Sequence, residues 1–317
     1  MSESRFKKIL VTGGAGYVGT SLVPELLKNG YKVRVFDNLR YGGDGLLHYF
    51  SDKNFEFVKG DIRDKKAVEK AVEGTDAVIH LACIVGFPAC KKEPELSREI
   101  NVGGTKNLVE ATNGRAPIFF ASTGSTYGQL KEDLCTENTP VNPLSDYGKH
   151  KVEAEEIIKN GNKGEYVIYR YATAFGVSGR MRLDLLPNDF TYRAVKEKSL
   201  ILYEKTFLRT FIHVRDMAKS FLFALENYDK MKGEIYNVGD NSMNCSKEDL
   251  AKMIREKVDY YLHFADVGHD IDQRDYMVSY EKISSLGFRT TITLQEGIDE
   301  LIKAAEALEV RNSYSNV

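Results

Sequence analysis

Tyr147 and Lys151 stand four residues apart in Tyr147-Gly148-Lys149-His150-Lys151, a spacing that sets both on one face of a helix. A phenol with an ordinary pKa near 10 is a weak base at neutral pH. A cation one helical turn away favours the phenolate, which could then remove a proton from a substrate hydroxyl. Taken alone, the pair also fits an ordinary exposed tyrosine and lysine. Thr123 lies 24 residues earlier, in Ser122-Thr123-Gly124-Ser125-Thr126-Tyr127-Gly128 at the end of a β-rich run. Its hydroxyl could share the substrate hydroxyl with Tyr147 and align it, with Ser122 and Ser125 as second choices. A Ser/Thr turn is the alternative reading of the same residues.

A second constellation binds rather than reacts. In Thr12-Gly13-Gly14-Ala15-Gly16-Tyr17-Val18-Gly19, the residues Gly13, Gly16 and Gly19 recur every third position directly after the apolar run Lys8–Val11. Missing Cβ atoms let the strand turn sharply and the backbone approach a pyrophosphate, and the amino terminus of the following helix then faces the phosphates. Asp37 ends the second β-rich run, 18 residues after Gly19. A carboxylate there accepts hydrogen bonds from both ribose hydroxyls of NAD and repels the 2′-phosphate of NADP, so NAD is the expected cofactor. Arg40 is close enough to soften that discrimination. Asp61 and Ile62, after the third run, either reach the adenine or form a turn or helix cap.

These residues need a frame to hold them. The runs Lys8–Val11, Lys32–Phe36, Phe55–Val58, Ala77–His80, Ile118–Ala121 and Tyr166–Tyr169 alternate with helix-period apolar sets such as Val18, Leu22, Leu26 and Leu27. With right-handed crossovers this predicts an α/β fold, a doubly wound parallel sheet of Rossmann type. Pro24 falls inside the first helix and is expected to kink it. After Gly176 the pattern changes to longer helices and isolated short strands, Glu234–Val238 among them, with a helix opened by Ser246 and Asp249. Residues 1–175 are therefore expected to form the dinucleotide-binding domain that carries the catalytic residues. Residues 176–317 would form a smaller α/β substrate lobe at the carboxyl edge of the sheet, with some chain exchange. The polar stretch after Leu308 is expected to fray.

Composition narrows the function classes. Of 317 residues, 42% are hydrophobic and 28% charged, which suits a folded core and excludes disorder. Lys and Arg number 44 against 46 Asp and Glu, so no net field draws the chain to nucleic acid or anionic lipid. No apolar run approaches the ~18 residues of a membrane span and none marks a leader at the start, so the expected location is cytoplasmic. Cys83, Cys90, Cys135 and Cys245 are widely spaced and read as reduced thiols, and the histidines show no His-x-x-x-His pair, so no metal site is expected. The absence of a Gly-x-Ser-x-Gly elbow argues against a hydrolase.

Several motifs recur in order: the glycine turn with Asp37, His80-Leu81-Ala82, Asn101-Val102-Gly103-Gly104-Thr105, Ser122-Thr123 through Tyr127-Gly128, Tyr147 with Lys151, and Arg209 through Asp216. In these the chain resembles the extended short-chain dehydrogenase/reductase family, specifically its NAD-dependent epimerase/dehydratase group, which acts on nucleotide sugars. The resemblance implies that Thr123, Tyr147 and Lys151 form the catalytic set and that Lys151 also holds the nicotinamide ribose. It implies further cofactor contacts at Tyr17, Val18, Asn38, Leu81 and Ala82. Asn101 would belong to the same site, supporting the active-site helix or a water near Lys151. Asn188, Arg209 and Arg274 look like contacts to the nucleotide diphosphate, for which a guanidinium is suited. The resemblance also implies a homodimer, in which the helix of Tyr147 and Lys151 and the one after Pro94 pack against their copies as a four-helix bundle. The exposed faces of those helices would otherwise form a large apolar patch.

Departures from the family pattern separate the chemistries. Its 4,6-dehydratase and decarboxylase branches carry Glu two residues after the catalytic Thr, and dehydratases carry Asp just before that Glu. This chain has Gly124 and Ser125 there, so elimination of water lacks its acid and base. The expected reaction is oxidation at carbon 4 of a nucleotide-diphosphate sugar through a 4-keto sugar, most simply by an epimerase. The alternatives are a net 4-dehydrogenase and, disfavoured by the intact catalytic set, a non-catalytic NAD-binding sensor. Thr173 stands where the family usually has Asn, as an expected substrate contact. Arg180–Leu186, Asn188–Arg193 and Asn227–Gly233 resemble more narrowly a bacterial branch that includes GDP-heptose 4-dehydrogenases of capsule polysaccharide biosynthesis.

Overall fold

The computed structural model describes residues 5–128, 134–265, 277–309, 311 and 314–316. Seven parallel strands form the central sheet: β1 (Lys8–Thr12), β2 (Lys32–Asp37), β3 (Phe55–Lys59), β4 (Ala77–His80), β5 (Ile118–Thr123), β6 (Tyr166–Tyr171) and β7 (Glu234–Val238). Their order is β3-β2-β1-β4-β5-β6-β7, so the chain reverses direction across the sheet between β1 and β4. Both faces are covered. Ile9 and Val11 of β1 point into one core with Val33, Ile79 and Phe119, while Leu10 points into the other with Val78, Ile118 and Phe120. Burial on both sides explains why the inner strands β1, β4 and β5 read as apolar runs.

The longer helices are α1 (Gly19–Lys28), α2 (Lys65–Val72), α3 (Gly104–Thr112), α4 (Asp146–Gly161), α5 (Leu186–Lys196), α6 (Val214–Glu226), α7 (Lys247–Arg255) and α8 (Leu294–Ala307). Helix α1 runs through Pro24, and α7 opens with the expected capping box of Ser246 and Asp249. A third core, built from Phe190, Leu200, Phe211, Leu250, Ile254, Ile298 and Leu301 among others, holds α5, α7 and α8 together. Among the described residues no helix is long and apolar enough to cross a membrane.

Three expectations are corrected. Glu234–Val238 is no isolated strand of the smaller lobe but the edge of the main sheet, pairing with β6 from Glu234↔Val167 to Val238↔Tyr171. The stretch past Leu308 does not simply fray, since Leu183 donates its backbone N–H to the Tyr314 carbonyl at 2.6 Å. No large exposed apolar side chain lies on α3, α4 or the helix after Pro94, and Arg98 instead bonds Glu153 of α4 at 2.8 Å, so the expected apolar patch is absent there.

Candidate active site

A cleft of about 360 Å³ lies at the carboxyl ends of β1, β4 and β5, on either side of the point where the strand order reverses. Gly13, Gly16, Tyr17, Val18, Gly19, Asp37, Asn38, Asp61, Ile62, Leu81, Ala82, Thr123, Tyr147, Lys151 and Thr173 all line it. One end is the glycine turn. Gly13 has φ +72°, and a Cβ there would stand 2.6 Å from the Ala82 backbone nitrogen, while a Cβ on Gly19 would stand 2.4 Å from the Gly14 carbonyl oxygen. Only bare backbone lets α1 start directly on the turn and open its amino terminus to the cleft.

Asp37 closes this end. Its carboxylate accepts N–H bonds from Ala15 at 3.0 Å and Leu39 at 2.8 Å, which tie the glycine turn to the loop after β2. Burial pushes its pKa up and the two backbone bonds oppose the rise. Arg40, which could have softened selection against a 2′-phosphate, is paired with Glu93. Asp61 lines the cleft and makes a turn by accepting the Arg63 N–H at 2.9 Å. Hydrogen bonds from Arg63 hold its pKa down at about 2. A cradle that a Cβ would fill, a helix amino terminus and a carboxylate at the end of β2 together fit a dinucleotide.

The other end carries the reactive groups. Ser145 caps α4 by accepting the Gly148 N–H at 3.1 Å, a bond of about 1 kcal/mol that fixes the turn bearing Tyr147. The Thr123 hydroxyl accepts the Ser125 N–H at 3.2 Å and donates to the Ser125 hydroxyl at 3.2 Å, so Thr123 is the turn residue, and it helps to lower the Tyr147 phenol that lines the same cleft. Lys151 reaches over the Tyr147 ring, its ammonium 5.9 Å from the centroid. Its ammonium donates to the Ala121 carbonyl at 2.6 Å and lies 4.5 Å from the Phe120 ring centroid.

Burial pushes the Tyr147 phenol well above its ordinary range, the Cys83 and Cys90 thiols push the same way, and the cation that opposes them is Arg182 rather than Lys151. Arg182 is a cleft residue whose guanidinium is bound to Asp184 at 2.5 and 3.2 Å. Behind this end, Ser122 donates to Glu155 of α4, and Arg170 of β6 grips the same carboxylate at 2.7 Å. Glu155 is 2% exposed and Arg170 6%.

Three expected contacts do not line the main cleft. Asn101 does not line the cleft: its amide accepts from the Ile84 N–H at 2.8 Å and donates to the Ile84 carbonyl at 3.0 Å, which anchors the loop after β4. Asn188, 1% exposed, spends its amide on the Gly176 N–H at 2.9 Å, the Arg182 carbonyl at 2.8 Å and the Tyr17 hydroxyl at 3.3 Å, so it braces the cleft wall from behind. Arg209 lines a smaller neighbouring cavity of about 20 Å³, which shares Tyr171, Ala172 and Thr173 with the main cleft. Arg274 lies outside the described residues.

Four residues that sequence reasoning passed over are Arg182, Arg180, Cys83 and Glu155. Of these, only the Arg-x-Asp spacing of Arg182 and Asp184 and the position of Glu155 one turn beyond Lys151 were visible as signals.

The profile of the NAD dependent epimerase/dehydratase family matches residues 9–239. A protein of Methanocaldococcus jannaschii assigned as a UDP-glucose 4-epimerase is 32% identical over 304 residues, covering 93% of this chain and 97% of that one. Among solved structures, the UDP-glucose 4-epimerase of Thermus thermophilus in complex with NAD superposes with a TM-score of 0.83 at 26% identity, covering 94% of this chain and 99% of that one. The UDP-glucuronic acid 4-epimerase of Bacillus cereus, in complex with UDP-glucuronic acid and NAD, gives a TM-score of 0.86 at 26% identity over 95% of this chain and all of that one. The chain belongs to the NAD dependent epimerase/dehydratase family, and its cofactor is NAD.

Proposed function

We propose that this protein is a nucleotide-sugar 4-epimerase, which oxidises carbon 4 of a nucleotide-diphosphate sugar to a ketone and reduces it again on the other face. The observation that carries the reading is the set of acids in the cleft. Among the described residues Asp37 and Asp61 are the carboxylates that line it, and both belong to the glycine-turn end, away from Tyr147. Elimination of water needs a proton donor for the leaving hydroxyl and a base for the carbon-5 proton, and Gly124 and Ser125 supply neither. Similarity to two 4-epimerases of UDP-sugars supports the same carbon.

The glycine turn, Asp37, Asn38, Asp61, Leu81, Ala82 and Lys151 would hold the cofactor. When bound, NAD accepts hydride from the sugar carbon and can return it. Thr123 and Tyr147 share the carbon-4 hydroxyl, and Tyr147, once it has lost its own proton, takes the hydroxyl proton as carbon 4 becomes a ketone and gives it back when the hydroxyl re-forms. Arg182 offsets the charge on the phenolate. Thr173 and, through the adjoining cavity, Arg209 face the substrate, and Arg274 is assigned to its diphosphate. The residues up to about 175, together with β7, make the dinucleotide part and most of those after 175 the substrate part, with some chain exchange between them, and the enzyme works in the cytoplasm.

A net 4-dehydrogenase is the second reading, favoured by the segment Arg180–Leu186 with its likeness to GDP-heptose 4-dehydrogenases of polysaccharide biosynthesis. Incubation with UDP-, GDP-, CDP- and dTDP-sugars, reading NADH absorbance and sugar stereochemistry together, tests both. Inverted carbon 4 without net NADH supports the epimerase, and stoichiometric NADH supports the dehydrogenase.

Two expected results belong to this reading. Asp37 should make NAD bind at least about tenfold more tightly than NADP, a difference of ~1.4 kcal/mol, in titrations of nucleotide-free protein. Equal affinities would remove that role from Asp37. Light scattering at micromolar protein should give twice the 35.8 kDa chain mass, as expected for a homodimer paired through α4 and the helix after Pro94. A monomeric mass would count against it.

A further inference from the structure

Asn316 lines the cleft although it lies far along the chain from the dinucleotide motif. Its side-chain amide joins two loops that also line the cleft: Oδ1 accepts from Arg180 Nη2 at 2.9 Å, and Nδ2 donates to the Val85 carbonyl at 3.4 Å. The same Nη2 reaches the Ser315 carbonyl at 3.4 Å, and the Tyr314 carbonyl accepts the Leu183 N–H at 2.6 Å. Val85 follows β4 and Arg180 follows β6, so residues 314–316 connect the loops of two separate strands.

Arg180 explains what such a connection would cover. It is 6% exposed, and among the described residues no carboxylate lies within salt-bridge distance of it. Its partners are the neutral oxygens just named and the Tyr41 ring at 4.4 Å. The neighbouring Arg182 is neutralised by Asp184. The Arg180 backbone N–H donates at 3.0 Å to the hydroxyl of Thr20, in the first turn of α1, and Arg180 lines the cleft with its guanidinium over the Tyr41 ring. A buried cation held only by neutral groups leaves its charge for an anion in the cleft.

We propose that Asn316, bridging Arg180 and Val85, is a clip that closes the cleft over bound dinucleotide and slows its release. The inference rests on the NAD reading of the cleft. It deepens that reading because an epimerase must keep the same cofactor through oxidation and reduction. The bond to Val85 is the longer of the two, so the clip opens there while the chain stays on Arg180 and Leu183.

Stopped-flow fluorescence of NADH displaced from the full-length protein by excess NAD tests it, with Asn316→Ala and, as a second variant that keeps a polar but shorter side chain, Asn316→Ser. Loss of the bridge should speed NADH release about five- to tenfold in both variants, with melting temperatures like that of the wild type. Wild-type release rates in a variant that folds would overturn the clip while leaving the NAD reading intact. Failure of the wild type to bind NADH would overturn both.

Discussion

Tyr147→Phe lowers turnover by roughly 10²–10⁴ and leaves NAD binding in place. The substitution removes one oxygen and keeps the ring, which packs against the core beneath α4. Lys151 keeps its own anchor at the Ala121 carbonyl. The glycine turn and Asp37 are untouched, so a titration with NAD should match the wild type. Because burial holds the phenol protonated, oxidation should quicken as the pH rises through the alkaline range. Arg182→Met should move that rise to still higher pH, since Arg182 is the cation that lowers the phenol. Turnover of Tyr147→Phe within a few fold of wild type would take Tyr147 out of the mechanism.

Glu155→Ala has the largest expected effect on stability. It strands Arg170, which is nearly fully buried, without its carboxylate, a loss of ~3–5 kcal/mol and a fall in Tm of roughly 5–8 °C for a chain of this size. It also frees Ser122, next to Thr123, from α4, so kcat should fall with little change in NAD affinity. Replacing Glu155 and Arg170 together with leucine and methionine should recover most of the Tm, because no lone charge then remains buried, but not the kcat. Calorimetry and initial rates separate the two effects. An unchanged Tm for the single variant would mean that water or rearrangement satisfies Arg170 and that the pair does not brace α4.

The parts of this site that were legible in the sequence are those whose function is local. The glycine turn and Asp37 sit at strand ends, and Tyr147 and Lys151 sit within one turn of a capped helix, so residue type and spacing suffice for them. Burial of β1, β4, β5 and β6 on both faces made their runs continuous and the sheet readable. Strand β7 was misplaced because Glu234 and Asn237 interrupt its apolar run, and only the fold shows Asn237 satisfied by the Tyr127 hydroxyl at 2.6 Å and the Ser279 carbonyl. Asn101 and Asn188 are buried bracing amides in the fold, a role their residue type alone does not give. An amide that braces a loop has the same type as one that meets a ligand, and only its partners distinguish them. The links from Asn316 to Arg180 and from Ser122 to Glu155 join distant stretches of chain and leave no periodic trace.

The product formed from a nucleoside-diphosphate hexose in D₂O, analysed by mass spectrometry and NMR, tests the central claim most directly. Oxidation and re-reduction at carbon 4 with no acid in place for elimination predict a sugar of unchanged mass, inverted at carbon 4 and free of carbon-bound deuterium. A product lighter by one water, carrying deuterium from the solvent at carbon 5 or 6, would contradict it.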